Sequence, residues 1–212
     1  MLGIENLALF VGSGILLNLY PGPDTLYIIG RSLSQGRGAG VCAALGIGSG
    51  AIVHSLLGAF GLSAILATSA YGFTLLKFAG CFYLVYQGTR MIWEGAHANS
   101  ANSPALPRAG LMRIYRQGAL TNILNPKVAL FFLAFLPQFI SVSSTHKPLS
   151  FIFLGAIFVT TGTLWCLVVA LFAASFGNRI RRSSKTSGWL KKANGILFIG
   201  LGIKLAVARV EM

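Results

Sequence analysis

Two ionisable residues of opposite sign, Asp24 and Lys127, each stand directly after a proline inside an apolar stretch. The first context is Asn18-Leu-Tyr-Pro21-Gly22-Pro23-Asp24 and the second is Thr121-Asn122-Ile-Leu-Asn125-Pro126-Lys127. An ionised side chain in hydrocarbon costs about 2.5–3.5 kcal/mol on insertion scales. Proline removes a backbone donor and clashes with the preceding turn, and glycine adds backbone freedom. Lipid tolerates such breaks only where the backbone is buried in protein or lines a watery cavity. One acid and one base placed this way suit a small zwitterion, with an ammonium for Asp24 and a carboxylate for Lys127. The candidate binding residues are Asn18, Pro21, Gly22, Pro23, Asp24, Asn122, Asn125, Pro126 and Lys127.

The two segments share a grammar. Gly22-Pro23-Asp24 and Asn125-Pro126-Lys127 each offer a good N-cap residue, then proline at the first helical position, then a charge. Each predicts a half-helix whose free N–H groups point into the protein, where they attract anions such as carboxylates. Lys127 falls about 16 Å along a helix from Arg116 at 1.5 Å per residue. That is near the middle of a hydrocarbon layer about 30 Å thick. His54 joins the set because Gly46, Gly50, His54 and Gly58 recur every four residues, on one broad helical face. Glycines there let another backbone approach closely. His54 then faces a neighbour, and its imidazole can exchange a proton near neutral pH. Asp24 and His54 are therefore the proton-coupling candidates.

The elements that carry these residues read as membrane spans. Of 212 residues, 55% are hydrophobic and 10% charged, against about 25% charged in an ordinary soluble domain. Six apolar stretches are long enough to cross a bilayer: about 4–34, 39–68, 71–93, 117–140, 149–177 and 189–209. The expected fold is an all-α integral membrane protein of six transmembrane helices, with helices 1 and 4 broken. It forms a single transmembrane domain over 1–212. Repeat one covers about 1–93, a basic loop about 94–116, and repeat two about 117–212. Three spans per half put the halves in opposite orientations, as inverted repeats. The stretch Arg108–Arg116 mixes apolar residues with arginines and is expected at the interface ahead of span 4.

The net charge of +13 lies in the loops between spans, so it reports topology rather than nucleic-acid binding. With the N-terminus outside, Arg31, Arg37, Arg90, Arg108, Arg113, Arg116 and the run from Arg179 to Lys192 all fall inside. Both termini are then expected outside. Cys42, Cys81 and Cys166 stand alone in apolar stretches, and no CxxC pair occurs, so no zinc site or redox pair is suggested. No P-loop appears, so an ATP engine is not visible. A membrane enzyme lacks a metal motif or a Ser–His–acid set among only four acidic residues. The expectation is a secondary transporter, not an enzyme, with no cofactor. A channel-like pore for small zwitterions is the alternative, separable by conductance as against gradient-coupled, saturable flux. Thr160, Thr161 and Thr163 are further candidates for the path, and Trp93, Trp189 and Tyr71 for interface anchors.

Taken in order, the motifs resemble those of the LysE/RhtB family of bacterial amino-acid exporters. The residues that carry the likeness are Pro21-Gly22-Pro23-Asp24, Gln35-Gly36-Arg37, Ala44-Leu45-Gly46, His54 with Gly58-Ala59-Phe60-Gly61-Leu62, Leu76-Lys77-Phe78-Ala79-Gly80, Tyr83-Leu84, Asn122-Ile-Leu-Asn125-Pro126-Lys127 and Phe135-Leu136-Pro137-Gln138-Phe139. The resemblance covers essentially the whole chain. It implies export of small amino acids or derivatives from the bacterial cytoplasm across the inner membrane, driven by the proton gradient. The pattern is nearer the homoserine and threonine branch than the basic-amino-acid exporters. The implied partners are the amino-acid substrate, protons and the lipid bilayer. A homo-oligomer is compatible with the pattern, and the amino acid exported is left open.

Overall fold

The computed structural model of the chain describes residues 2–62, 106–141 and 143–180, with 78, 81, 82, 85, 86, 88–90, 92, 93, 196, 199, 200, 202 and 203. The described chain is helical. Its β-type contact is an isolated antiparallel bridge, Ile4 to Ile140. The principal elements are α1 (Leu7–Leu19), α2 (Pro23–Gln35), α3 (Arg37–Leu57), α4 (Leu111–Ile123), α5 (Pro126–Leu130) and α6 (Lys147–Ile180). A π-helical turn, Gly58–Leu62, extends α3. A π-helical turn, Phe131–Phe135, and a 3-10 turn, Leu136–Phe139, extend α5.

Among the described residues, two helices are long and apolar enough to cross a membrane, Arg37–Gly61 and Lys147–Ser175. The pair Leu111–Ile123 and Pro126–Phe139 is long and apolar enough only when taken together, and it is bent by 48° at the break. Large apolar side chains such as Leu45, Ile52, Leu56, Leu164, Leu171 and Phe172 are exposed, and lipid is the solvent that suits them. The break expected in span 4 is present. The helix begins at Leu111, however, not at 117, so the basic stretch is continuous with it. No proline follows Gly110 until Pro126, and Gly118 seats the helix against α3. Span 1 is likewise two 13-residue helices on either side of Pro21-Gly22. Spans 3 and 6 lie largely outside the described residues. Of them, the Cys81 thiol donates to Gly202 O at 3.1 Å. Lys77, Trp189 and Tyr71 are also outside, while Trp93 is exposed.

Both breaks have the same local cause. A residue before proline is pushed into extended backbone. Tyr20 before Pro21 has ψ 120°, and Asn125 before Pro126 has ψ 107°.

The glycine face on α3 is where a backbone approaches closest. A Cβ on Gly46 would run into Tyr115 O, one on Gly50 would lie 2.7 Å from Ala119 O, and one on Gly118 2.7 Å from Ala43 O. α3 and α4 therefore touch main chain to main chain, across the two halves of the sequence. Gly58 faces the Phe151 ring on α6 instead. Gly46→Ala is expected to destabilise the fold by about 1–3 kcal/mol. That lowers the melting temperature of the purified protein by about 2–12 °C. Gly12→Ala, which meets no atom within 4 Å, is the matched control and should not lower it.

Two buried clusters flank the middle of the molecule. One is aromatic, with Phe10, Phe131, Phe132, Phe135, Phe151 and Phe158 among its members. The other is aliphatic and small, with Ile28, Ala39, Ala43, Ala44, Ile47 and Ile114. Val128 and Phe158 of the first and Ile47 of the second line one shared cavity.

Candidate functional site

The cavity sits where the two helix breaks meet. Asn18, Asp24, Asn122 and Lys127 all line it, so four of the residues singled out in the sequence come together. Asp24 follows Pro23 at the start of α2, where a carboxylate is favoured by the helix dipole. The first intrahelical bond of α2 runs from Leu26 N–H to Gly22 O. The N–H groups of Asp24 and Thr25 precede it and have no partner within the helix.

The two signatures hold each other's charges. Asn122 Nδ2 and Asn125 Nδ2 both donate to Asp24 Oδ2, at 2.8 and 3.0 Å. Reciprocally, Lys127 Nζ donates to Leu17 O at 3.2 Å and Tyr20 O at 3.3 Å. Those carbonyls belong to the last turn of α1 and its cap, the end of a helix that favours a cation. The Lys127 ammonium also lies 5.6 Å from the centre of the Tyr20 ring and packs on Gly22, whose Cβ would stand 3.5 Å from Nζ. All four polar residues of this reciprocal lock are buried.

No ion pair joins Asp24 and Lys127: each is satisfied by neutral groups of the opposite break. One expectation changes here. The helix after Pro126 was expected to offer free N–H groups. Its first turn has none, because Pro126 lacks one, Lys127 N–H donates to Asn125 Oδ1, and Val128 and Ala129 N–H donate to Asn125 O.

Three buried polar atoms around the cavity have no hydrogen-bond partner among the described residues: Asn18 Nδ2, Asp24 Oδ1 and Asn122 Oδ1. Leaving such an atom unpaired costs about 1–3 kcal/mol. One is a donor and two are acceptors, and with Lys127 they present matched groups to a molecule bearing both an anionic and a cationic end. The free space is about 30 Å³, enough for water and smaller than an amino acid.

His54 lies behind this layer. Its Nε2 is 3.1 Å from Asn122 O, and its ring stacks on Phe132 at 5.9 Å. It does not line the cavity, and it touches the site only through the main chain of Asn122. Among the threonines, Thr163 lines the cavity, Thr161 Oγ1 bonds to Ile157 O, and Thr160 is exposed. Cys166 also lines it, Cys42 donates to Leu111 O, and all three cysteines are free.

The sequence reading missed the floor of the cavity. α6 supplies Phe158, Val159 and Gly162, and α3 supplies Gly48 and Ala51. Gly162 lies under Asn18, and Gly48 under Thr163. The spacing of Gly48, out of step with the Gly46–Gly58 series, was the available signal for a second working face on α3.

Comparison with known proteins identifies the family and several relatives. A family model described as LysE type translocator matches residues 15–209. A protein of Enterobacter sp. named leucine efflux protein is 29% identical over 214 residues, covering 96% of each chain. A membrane protein of Vibrio cholerae is 33% identical over 198 residues, covering 93% of this chain and 94% of its own. A protein of Salmonella choleraesuis, also named leucine efflux protein, is 26% identical over 206 residues, covering 96% of each. No solved structure matches the chain.

Proposed function

The chain belongs to the LysE type translocator family, and from that premise we propose that it exports a small uncharged amino acid by proton antiport. The observation that carries this reading is the set of unpaired polar atoms beside Asp24 and Lys127 in one buried cavity. The substrate ammonium is taken by Asp24 Oδ1 and Asn122 Oδ1. Its carboxylate is taken by Lys127 Nζ and Asn18 Nδ2. Asp24 and Lys127 carry opposite charges, so a zwitterion enters without changing the net charge of the site. The side chain then rests on Val128, Phe158 and Val159, which offer no charge to a basic or acidic substrate.

Proton coupling is assigned to Asp24. Protonating its carboxyl from outside removes the charge that holds the ammonium and releases the substrate there. His54, held on Asn122 O, is placed to sense the position of Asn122 rather than to touch substrate. The cavity is smaller than an amino acid, so loading requires the breaks to separate, as in alternating access about a site between inverted repeats. In this reading the protein lies in the bacterial inner membrane with both termini outside.

Two relatives are named for leucine efflux, and the sequence motifs resemble the homoserine and threonine branch. The test is therefore counterflow in proteoliposomes across homoserine, threonine, leucine and lysine. The proposed function requires saturable flux of at least one of the first three, stimulated by an opposing proton gradient. Lysine should be carried poorly. Conductance without saturation would replace the transporter with a pore.

A further inference from the structure

The basic residue Arg31, expected as a marker of topology, is buried, at 4% exposure. It lies seven residues beyond Asp24 on α2, two turns away on the same face and about 10 Å along the axis. Its guanidinium is surrounded by neutral oxygens. Nε donates to Tyr27 Oη at 3.3 Å, Nη1 to Gln35 Oε1 at 3.1 Å and Pro107 O at 2.9 Å, and Nη2 to Gln117 Oε1 at 2.8 Å. Among the described residues no carboxylate reaches it. Asp24 is engaged by Asn122 and Asn125, and Glu5 lies with Phe139 at another part of the fold.

A buried charge is ordinarily paired, and the Arg fork matches a carboxylate with two parallel bonds. Here two separate amide oxygens, Gln35 Oε1 and Gln117 Oε1, each hold one terminal nitrogen of the fork. Gln35 Oε1 also accepts from Ala109 N at 2.9 Å, so it keeps a donor when the fork leaves it. The Tyr27 hydroxyl lies within reach of both Gln117 Oε1, at 3.2 Å, and Ile114 O, at 3.0 Å, and its single proton serves one of them at a time. The fork can therefore exchange the Gln35 amide for an incoming carboxylate without orphaning it.

Arg31 and the Asp24 layer also span the same seam. Tyr27 and Arg31 on α2 meet Gln117 on α4, and Asp24 on α2 meets Asn122 on α4. The polar contacts thus form a continuous strip between a helix of the first half and one of the second. We propose that Arg31 is a second carboxylate site on this strip, which takes the α-carboxylate of the amino acid arriving from the cytoplasm before Lys127 does. The proposal rests on the transport reading above.

The test is efflux from cells loaded to graded internal amino-acid concentrations, with surface abundance measured for each variant. Arg31→Gln is expected to raise the half-saturating internal concentration at least tenfold, with the maximal rate within threefold of the parent. Arg31→Lys keeps the charge but loses the fork, and should fall between. Gln35→Leu removes a competing amide and should lower the half-saturating concentration. If Arg31 only straps the 106–110 segment to α2, Arg31→Gln and Gln35→Leu will impair efflux alike, through rate or abundance, and the site is overturned. An unchanged half-saturating concentration in Arg31→Gln overturns it too. Should Arg31→Gln fail to insert, a parental value in Arg31→Lys does the same. A parent that exports no amino acid removes the transport reading itself, whereas a parent that exports while both arginine variants match it removes Arg31 alone.

Discussion

Asp24→Asn is expected to reduce proton-coupled efflux by about 100-fold or more, the scale of losing one partner of a buried charge contact. The substituted side chain has nearly the same shape. It can still accept from Asn122 or Asn125, which now donate to Oδ2 at 2.8 and 3.0 Å. The lock between α2 and α4 should therefore survive, and the protein should insert at normal abundance. What disappears is the negative charge that an ammonium meets and a proton neutralises. Any residual flux should accordingly be flat across the pH range in which the parent varies. Efflux at the parental rate with the parental pH profile would remove Asp24 as proton carrier. His54→Gln is the informative comparison: His54 reaches the site only through Asn122 O, so its loss should weaken transport much less than loss of Asp24.

Lys127→Ala is expected to weaken binding of ordinary amino acids by roughly 10–100-fold, the range for a hydrogen bond to a charged group. A carboxyl-amidated analogue should lose much less, because it has no carboxylate to place. The contrast matters because the lysine has a structural post. Its ammonium satisfies Leu17 O and Tyr20 O, and removing it leaves two carbonyls at the end of α1 without that donor. A purely structural lysine would affect the acid and the amide in equal proportion, together with the yield of folded protein. Titrating both ligands into purified parent and variant separates the two roles, and equal proportional losses would take Lys127 out of the binding site.

The chemistry of the site was legible because it is local. Proline, glycine and asparagine beside a charge announce a broken helix and a polar lining without any knowledge of neighbours, and the observed breaks fall at Tyr20–Gly22 and at Leu124–Asn125. The glycine series was legible for the same reason, since a four-residue repeat defines a face. Pairings across the fold were not. The charges of Asp24 and Lys127 are plain in the sequence, but not that each is held by neutral groups of the opposite break. Main-chain carbonyls carry no sequence signature as partners, and Asn125 reaches across the chain to Asp24 as well as capping its own helix. The burial of Arg31 was hidden by the same route. A positively charged residue at the end of an apolar stretch has the same sequence appearance whether it points into water or into a ring of glutamines and a tyrosine.

The reciprocal lock also sets a schedule for synthesis. Asn122 and Asn125 lie 98 and 101 residues downstream of Asp24. At about 5–20 residues per second, the ribosome needs roughly 5–20 s to produce them. Throughout that interval the nascent first half carries a carboxyl group without its lasting partners. The carbonyls of Leu17 and Tyr20 wait equally long for Lys127. The newborn half must keep these groups near water or lend them to the insertion machinery. Its final placement is completed only when the second half arrives, so the ends of the two breaks are fixed together, late, and by each other.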